Sequence, residues 1–195
     1  MSNYSIFSIK YQEGNCSADS LTSSLVPSFR HLDPHFKTYS GQFFDYHGAC
    51  DLVLINSNEF AFGLGITVHV RTTRVDNQNI AYSYISSVAV KIGNDILEVS
   101  GDEDAGELFA NKVSAVEVTS LAGYPLTKSF KGINKRVVVY SLDLRDGNSI
   151  EIRANTKIGM VYVDIDGHFD DSEGLVGSPQ QDGLFSRDGT MDLSG

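Results

Sequence analysis

The feature that most constrains this chain is a period-two alternation of apolar and polar residues, repeated in short runs that glycine, asparagine and aspartate interrupt. Ile66-Thr-Val-His-Val70 shows it plainly: Ile66, Val68 and Val70 share one face of an extended segment, and His69 falls on the other. Asp51 to Ile55, Tyr82 to Ile92, Ile96 to Val99, Val113 to Val118, Val137 to Leu144, Ile150 to Ile152 and Met160 to Ile165 read as strands on the same ground. Turn formers in Ile92-Gly-Asn-Asp-Ile96 and Leu144-Arg-Asp-Gly-Asn-Ser-Ile150 join neighbouring runs closely enough for hairpins. Consecutive strands are therefore expected to pair antiparallel. Asp104 to Lys112 is the best helical candidate, but it is brief and strands flank it. Helix is expected in less than about a tenth of the chain, against ~30–35% in an ordinary globular protein. The predicted fold is all-β and mainly antiparallel, a β-sandwich or curled double sheet.

Composition agrees with many strands and turns: 18 Gly, 9 Tyr and 11 Phe, with no Trp. The 15 Lys plus Arg against 25 Asp plus Glu leave a net charge of -10, which opposes long-range attraction to nucleic acid or anionic lipid. Cations and basic partners suit that charge better. No stretch approaches the roughly 20 apolar residues of a membrane-spanning helix, so membrane insertion is not expected. The start, MSNYSIFSIKYQEG, lacks the basic and apolar regions of a secretory signal. That leaves two readings, an intracellular chain or a piece of a longer protein. Residues 1–30, polar from Ser17 to Ser24, read as a flexible leader or linker, and 31–195 as one domain.

Residues capable of chemistry are few. None of His31, His35, His47, His69 and His168 forms a His-x-x-x-His pair, so zinc through histidine is not expected. His69 should point to the outer face of its strand. No Gly-x-Ser-x-Gly elbow or phosphate-binding glycine loop is present. Tyr162-Val-Asp-Ile-Asp-Gly-His-Phe-Asp-Asp-Ser-Glu173 places Asp164, Asp166, Gly167, Asp170 and Glu173 at the spacing of an EF-hand loop. Its first position is Tyr and its flanks read as strand and glycine turn, so an acidic β-turn is the favoured reading. The same acids, Asp164, Asp166, Asp170, Asp171 and Glu173, are what a β-sandwich carbohydrate-active enzyme would draw on for a catalytic pair. They sit together in one loop, whereas paired acids come from opposing walls of a cleft.

Asp33-Pro-His-Phe-Lys-Thr-Tyr-Ser-Gly41, followed by Phe43-Phe-Asp-Tyr-His-Gly-Ala-Cys-Asp-Leu-Val-Leu54, resembles the opening of a von Willebrand factor type D domain. That family begins Gly-Asp-Pro-His and runs through an aromatic-Asp-Gly turn to Gly-x-Cys and a β run. Tyr84 to Glu98 is similar to its central hairpin. Gly174-Leu-Val-Gly177 stands at its Cys-Gly-Leu-Cys-Gly segment. The likeness runs from about Asp33 to Asp192. Leu32, Ser40 and Val176 replace the family's leading Gly, turn Asp and a later Cys, which places the chain in a cysteine-poor branch.

The resemblance implies a structural or adhesive module of a larger secreted or surface protein, binding other protein domains or matrix glycans. It also implies a weak calcium site at Ser40, Ser178, Asp182 and Asp188, where only two of the four positions carry a carboxylate. Some members cleave themselves after the aspartate of the opening motif, here Asp33-Pro34 with His35 beside it; Leu32 resists the backbone angles that Gly would allow. The family commonly ties the opening-motif cysteine, here Cys50, to another part of the domain, and with Val176 at the later position only Cys16 remains as a partner. The Ser-rich leader favours two free thiols over a Cys16–Cys50 bridge, with Cys50 buried at its strand as a small hydrophobe.

Overall fold

A computed structural model describes residues 34–39, 41, 43–46, 48–77, 80–101, 108–111, 113–114, 117–176, 184–185 and 191–192. The chain enters through β1 (His35–Lys37) and β2 (Phe43–Asp45), a short antiparallel pair that places Phe36 in the core. A six-stranded antiparallel sheet follows in chain order: β3 (Asp51–Ser57), β4 (Ile66–Asn77), β5 (Ile80–Ile92), β6 (Asp95–Ser100), β7 (Leu108–Ala110) and β8 (Val113–Ser114). The second sheet contains β9 (Ser120–Leu121), β10 (Tyr124–Lys131), β11 (Val137–Arg145), β12 (Asn148–Asn155) and β13 (Met160–Asp166), ordered β13-β12-β11-β10-β9. A small pair, β14 (Leu184–Phe185) and β15 (Met191–Asp192), closes the described residues.

The two larger sheets face one another, β13 against β5 and both β12 and β9 against β6. The alternation explains the core. Ile66, Val68 and Val70 of β4, Val88, Val90 and Ile92 of β5, and Leu97 and Val99 of β6 all point inward and are buried. Opposite them stand Val138, Tyr140 and Leu142 of β11 and Ile150, Ile152 and Ala154 of β12. Burying one such side chain contributes roughly 1.5–3 kcal/mol. His69, between two buried valines, lies half-buried on the outer face as its position in the alternation requires.

The hairpin turns fall where the turn formers placed them, between β5 and β6 and between β11 and β12. Two expectations are corrected, and one strand had not been expected. Leu108–Ala110, within the stretch read as helical, is a strand paired to β6, because its alternating side chains extend the six-stranded sheet. The run expected from Val113 to Val118 is a strand only at Val113–Ser114 in the described residues. β10 had no sequence signal: Pro125, Thr127, Lys128 and Ser129 interrupt the apolar pattern of a strand paired along most of its length on one side only. Helical geometry among the described residues is confined to turns at Phe60–Gly63 and Ile133–Lys135. Ala61 (φ 51, ψ 50) and Phe62 (φ 61, ψ 38) make the first of these left-handed.

Candidate functional site

The free edge of β3 is covered by a strap of chain. Asn56 and Glu173 exchange backbone hydrogen bonds at 2.7 and 2.9 Å, the Leu175 N–H donates to the Val53 carbonyl at 2.9 Å, and the Val176 N–H donates to the Leu54 carbonyl at 3.2 Å. The Val176 carbonyl then accepts the Tyr39 N–H at 3.0 Å. One strand edge thus gathers the loop after β1 and the Gly174-Leu-Val segment. Gly174 allows the close approach: its φ is +136, and a Cβ there would lie 2.4 Å from the Leu54 carbonyl oxygen. The Tyr39 phenol beside this junction is pushed up to about 12, by burial first and by the nearby Asp166 charge second. Its hydroxyl is buried and has no hydrogen-bond partner among the described residues. Ser40, Ser178, Asp182 and Asp188 lie outside the described residues.

The acidic stretch from Tyr162 to Glu173 does not form one loop. Tyr162, Asp164 and Asp166 alternate along the outer face of β13, because this part of the sequence is strand. Asp164 is ion-paired to Arg153, which also lies 3.5 Å from Glu151. Asp171 clasps the β3–β4 loop: its carboxylate accepts the Ser57 hydroxyl and, at 2.8 Å, the Glu59 N–H. Burial opposes ionisation of Asp171, but those hydrogen bonds outweigh it and hold the carboxyl below the usual carboxylate range. An EF-hand geometry is therefore absent from these residues, and no group of three or more His, Cys, Asp or Glu among the described residues converges as a metal cluster.

Cys50 sits at the entry to β3, half-buried. Its N–H donates to the Thr72 hydroxyl at 2.9 Å, and its carbonyl accepts the Thr72 N–H at 2.9 Å, at the bulge between Arg71 and Thr72. Cys50 is disulfide-bonded, which corrects the expectation of a free, fully buried thiol. The chain has one other cysteine, Cys16, outside the described residues. In the opening motif Asp33 lies outside the described residues, Pro34 is buried with its carbonyl accepting the Tyr46 N–H at 3.3 Å, and exposed His35 begins β1.

A family model described as von Willebrand factor type D domain matches residues 31–182, well over half of the chain and spanning both sheets and the strap. The chain belongs to the von Willebrand factor type D family. None of the curated proteins compared matches it significantly. Type D domains are generally non-enzymatic modules that mediate protein interactions, and the family is typically found in extracellular or secreted proteins. No helix among the described residues is long and apolar enough to cross a membrane.

One titratable group of this type D domain escaped the sequence reading. Glu98, on the outer face of β6, shares a cross-strand row with Val53, His69, Ala89 and Phe109, and the adjacent row holds Asp51 bound bidentately by Arg71 at 2.7 and 2.9 Å. Burial pushes its carboxyl up to about 7; the Arg71 charge lowers it and the Asp51 charge raises it. The folded state therefore holds a proton that the unfolded chain releases above its ordinary value of 4.5. The associated stability is present below that value and is lost as pH rises through about 7. Because the side chain keeps some solvent contact, the loss is discounted to about 1 kcal/mol. Glu98→Gln should melt higher than the wild type at pH 8 and within error of it at pH 4 in thermal denaturation. An equal shift at both values would remove burial of the charge as the cause.

Proposed function

We propose that this chain is a structural or adhesive binding module of a larger secreted or surface protein, steadied by calcium and engaging other protein domains or matrix glycans. The observation that carries the calcium part is the Tyr39–Val176 hydrogen bond, which joins the residue immediately before Ser40 to one two positions before Ser178. That junction joins the chain neighbours of Ser40 and Ser178, and the proposal is that Asp182 and Asp188 add the carboxylates a hard cation needs. Ser40 contributes no charge, so affinity is expected to be weak. The Asp33-Pro34-His35 motif is read as a strand entry. Of the acids from Asp164 to Glu173, Asp164 serves an ion pair with Arg153 and Asp171 the Ser57 clasp. Millimolar calcium should raise the melting temperature of the wild type, by about 2 kcal/mol of linkage at a tenfold to hundredfold excess over the dissociation constant. Asp188→Ala should abolish the rise. An unchanged melting temperature in the wild type, or an undiminished rise in the variant, would remove calcium from the proposal.

A further inference from the structure

We propose that the open edge of β10 binds an extended acidic segment of another protein, which adds to the second sheet as a further strand. Hydrogen bonding defines the edge. In an antiparallel pair the N–H and C=O groups of successive residues face alternate sides. Leu126 faces β9, its N–H donating to the Thr119 carbonyl at 2.9 Å, so in the unbroken register from Leu126 to Lys131 it is Thr127, Ser129 and Lys131 that face β11. β9 pairs only with Tyr124 and Pro125, and residues 117–119 do not continue its ladder. The N–H and C=O of Lys128 and Phe130 therefore point out of the edge with no backbone partner among the described residues. Both residues are exposed, so these groups can be reached. β3, at the edge of the first sheet, is covered by the Gly174 strap, whereas β10 stays open over about 17 Å from Thr127 to Lys131 at the rise of a β-strand.

Side chains decide what can pair there. Lys128 and Phe130 share one face of β10, and Phe130 is 50% exposed. The Lys128 and Lys135 ammonium groups each lie 5.7 Å from the Phe130 ring centre, and Lys128 lies 5.5 Å from that of Tyr140. Neither lysine makes an ion pair among the described residues; Lys131, on the opposite face, is paired to Glu151 at 3.2 Å. Lysines on an edge strand keep neutral and basic strands away, because pairing would strip water from an ammonium group and return nothing. A carboxylate on the incoming strand removes that penalty, so the lysines that guard the edge also select an acidic partner. The net charge of -10 opposes such a partner only at long range, and physiological salt screens that repulsion beyond ~8 Å.

An antiparallel strand on this edge would set an apolar residue against Phe130 and, two positions to either side on the same face, carboxylates within reach of Lys128 and Lys135. Its own N–H and C=O groups would satisfy those of Lys128 and Phe130. A sulfated glycan or an anionic lipid meets ammonium groups but carries no row of alternating donors and acceptors for a strand edge, so a peptide fits both observations together. The inference rests on the module reading and names its partner. Enzymatic activity would sink that reading without altering peptide binding, and loss of peptide binding would leave the module with its other partners.

The test is fluorescence anisotropy of a labelled peptide, acetyl-Thr-Glu-Thr-Phe-Thr-Glu-Thr-amide, titrated with the full chain. It should bind with a dissociation constant on the order of 0.1 mM. Methylating the backbone nitrogens of Phe and of the second Glu, which would donate to β10, should weaken binding at least tenfold. Methylating those of the two Thr beside Phe, which would face away, should leave it within about twofold. Replacing both Glu by Lys should also weaken binding at least tenfold, and the double variant Lys128→Glu, Lys135→Glu should prefer that lysine peptide. No change in anisotropy through about 1 mM chain, equal binding of the two methylated peptides, or undiminished binding of the lysine peptide would each overturn the proposal. A double variant that keeps its fold and still prefers the acidic peptide would do the same. If heparin or phosphatidylserine vesicles bind in place of the peptide and the double variant loses them, the lysines belong to a polyanion site and the strand proposal fails.

Discussion

Replacing Cys50 by alanine is expected to lower the unfolding free energy by about 3–4 kcal/mol, as chain entropy gives for releasing a loop of about 34 residues. The loop length follows from the sequence: Cys50 is disulfide-bonded, and Cys16 is the only other cysteine the chain possesses. For a chain of this size, at ~2–4 °C per kcal/mol, the melting temperature should fall by roughly 10 °C. A reductant should bring the wild type to the same value, because it removes the same constraint. Thiol titration of denatured, non-reduced protein checks the premise separately and should find no reactive thiol. Two thiols per chain, together with Cys50→Ala melting within error of the wild type, would refute the disulfide. The Thr72 hydrogen bonds at Cys50 involve backbone atoms of that residue, so alanine leaves them available.

The second large effect is expected at Gly174. Alanine there would have to move its Cβ from 2.4 Å off the Leu54 carbonyl oxygen, a backbone atom within the buried edge of β3, and adopt φ near +136. Overpacking and backbone strain together should cost about 3 kcal/mol. The damage should be local first: the amides of Leu175 and Val176, which donate to Val53 and Leu54, should exchange hydrogen much faster in the variant. Gly123→Ala serves as the control, because its φ is +81 but a Cβ there meets nothing within 4 Å. It should lose only about 1 kcal/mol, from conformation alone. Equal losses at the two glycines would mean that the strap is not held by close packing on β3.

Antiparallel pairing and the core of β4, β5, β6, β11 and β12 were legible in the sequence because a period-two pattern records which face of a strand is buried. β10 was not legible. Its outer face is solvated and Lys128 and Phe130 stand at an open end of its inner face, so burial, which writes the pattern, is missing there. Leu108–Ala110 is too short for alternation to separate strand from helix. Of the site, the Gly174-Leu-Val segment was recognisable by resemblance, but that it covers the edge of β3 depends on pairing across more than a hundred residues of sequence. Asp171 read as one acid among several in a turn; its role comes from Ser57, brought near only by the fold. Glu98 alternates as a surface residue does, and nothing local in the sequence reports its burial. Cys50 was expected to be a free thiol because polar sequence argued against a bridge, and local polarity carries no information about which residues meet in space.

We propose that this type D domain acts by binding and does not transform a substrate. It is tested most directly by incubating the purified chain, with and without calcium, with a panel of neutral and acidic polysaccharides and following reducing ends and unsaturated products. The account predicts no product above the no-protein control on any of them. Cleavage of a polysaccharide by the wild type that disappears in Asp164→Asn or Asp171→Asn, with the fold of the variant intact, would contradict it.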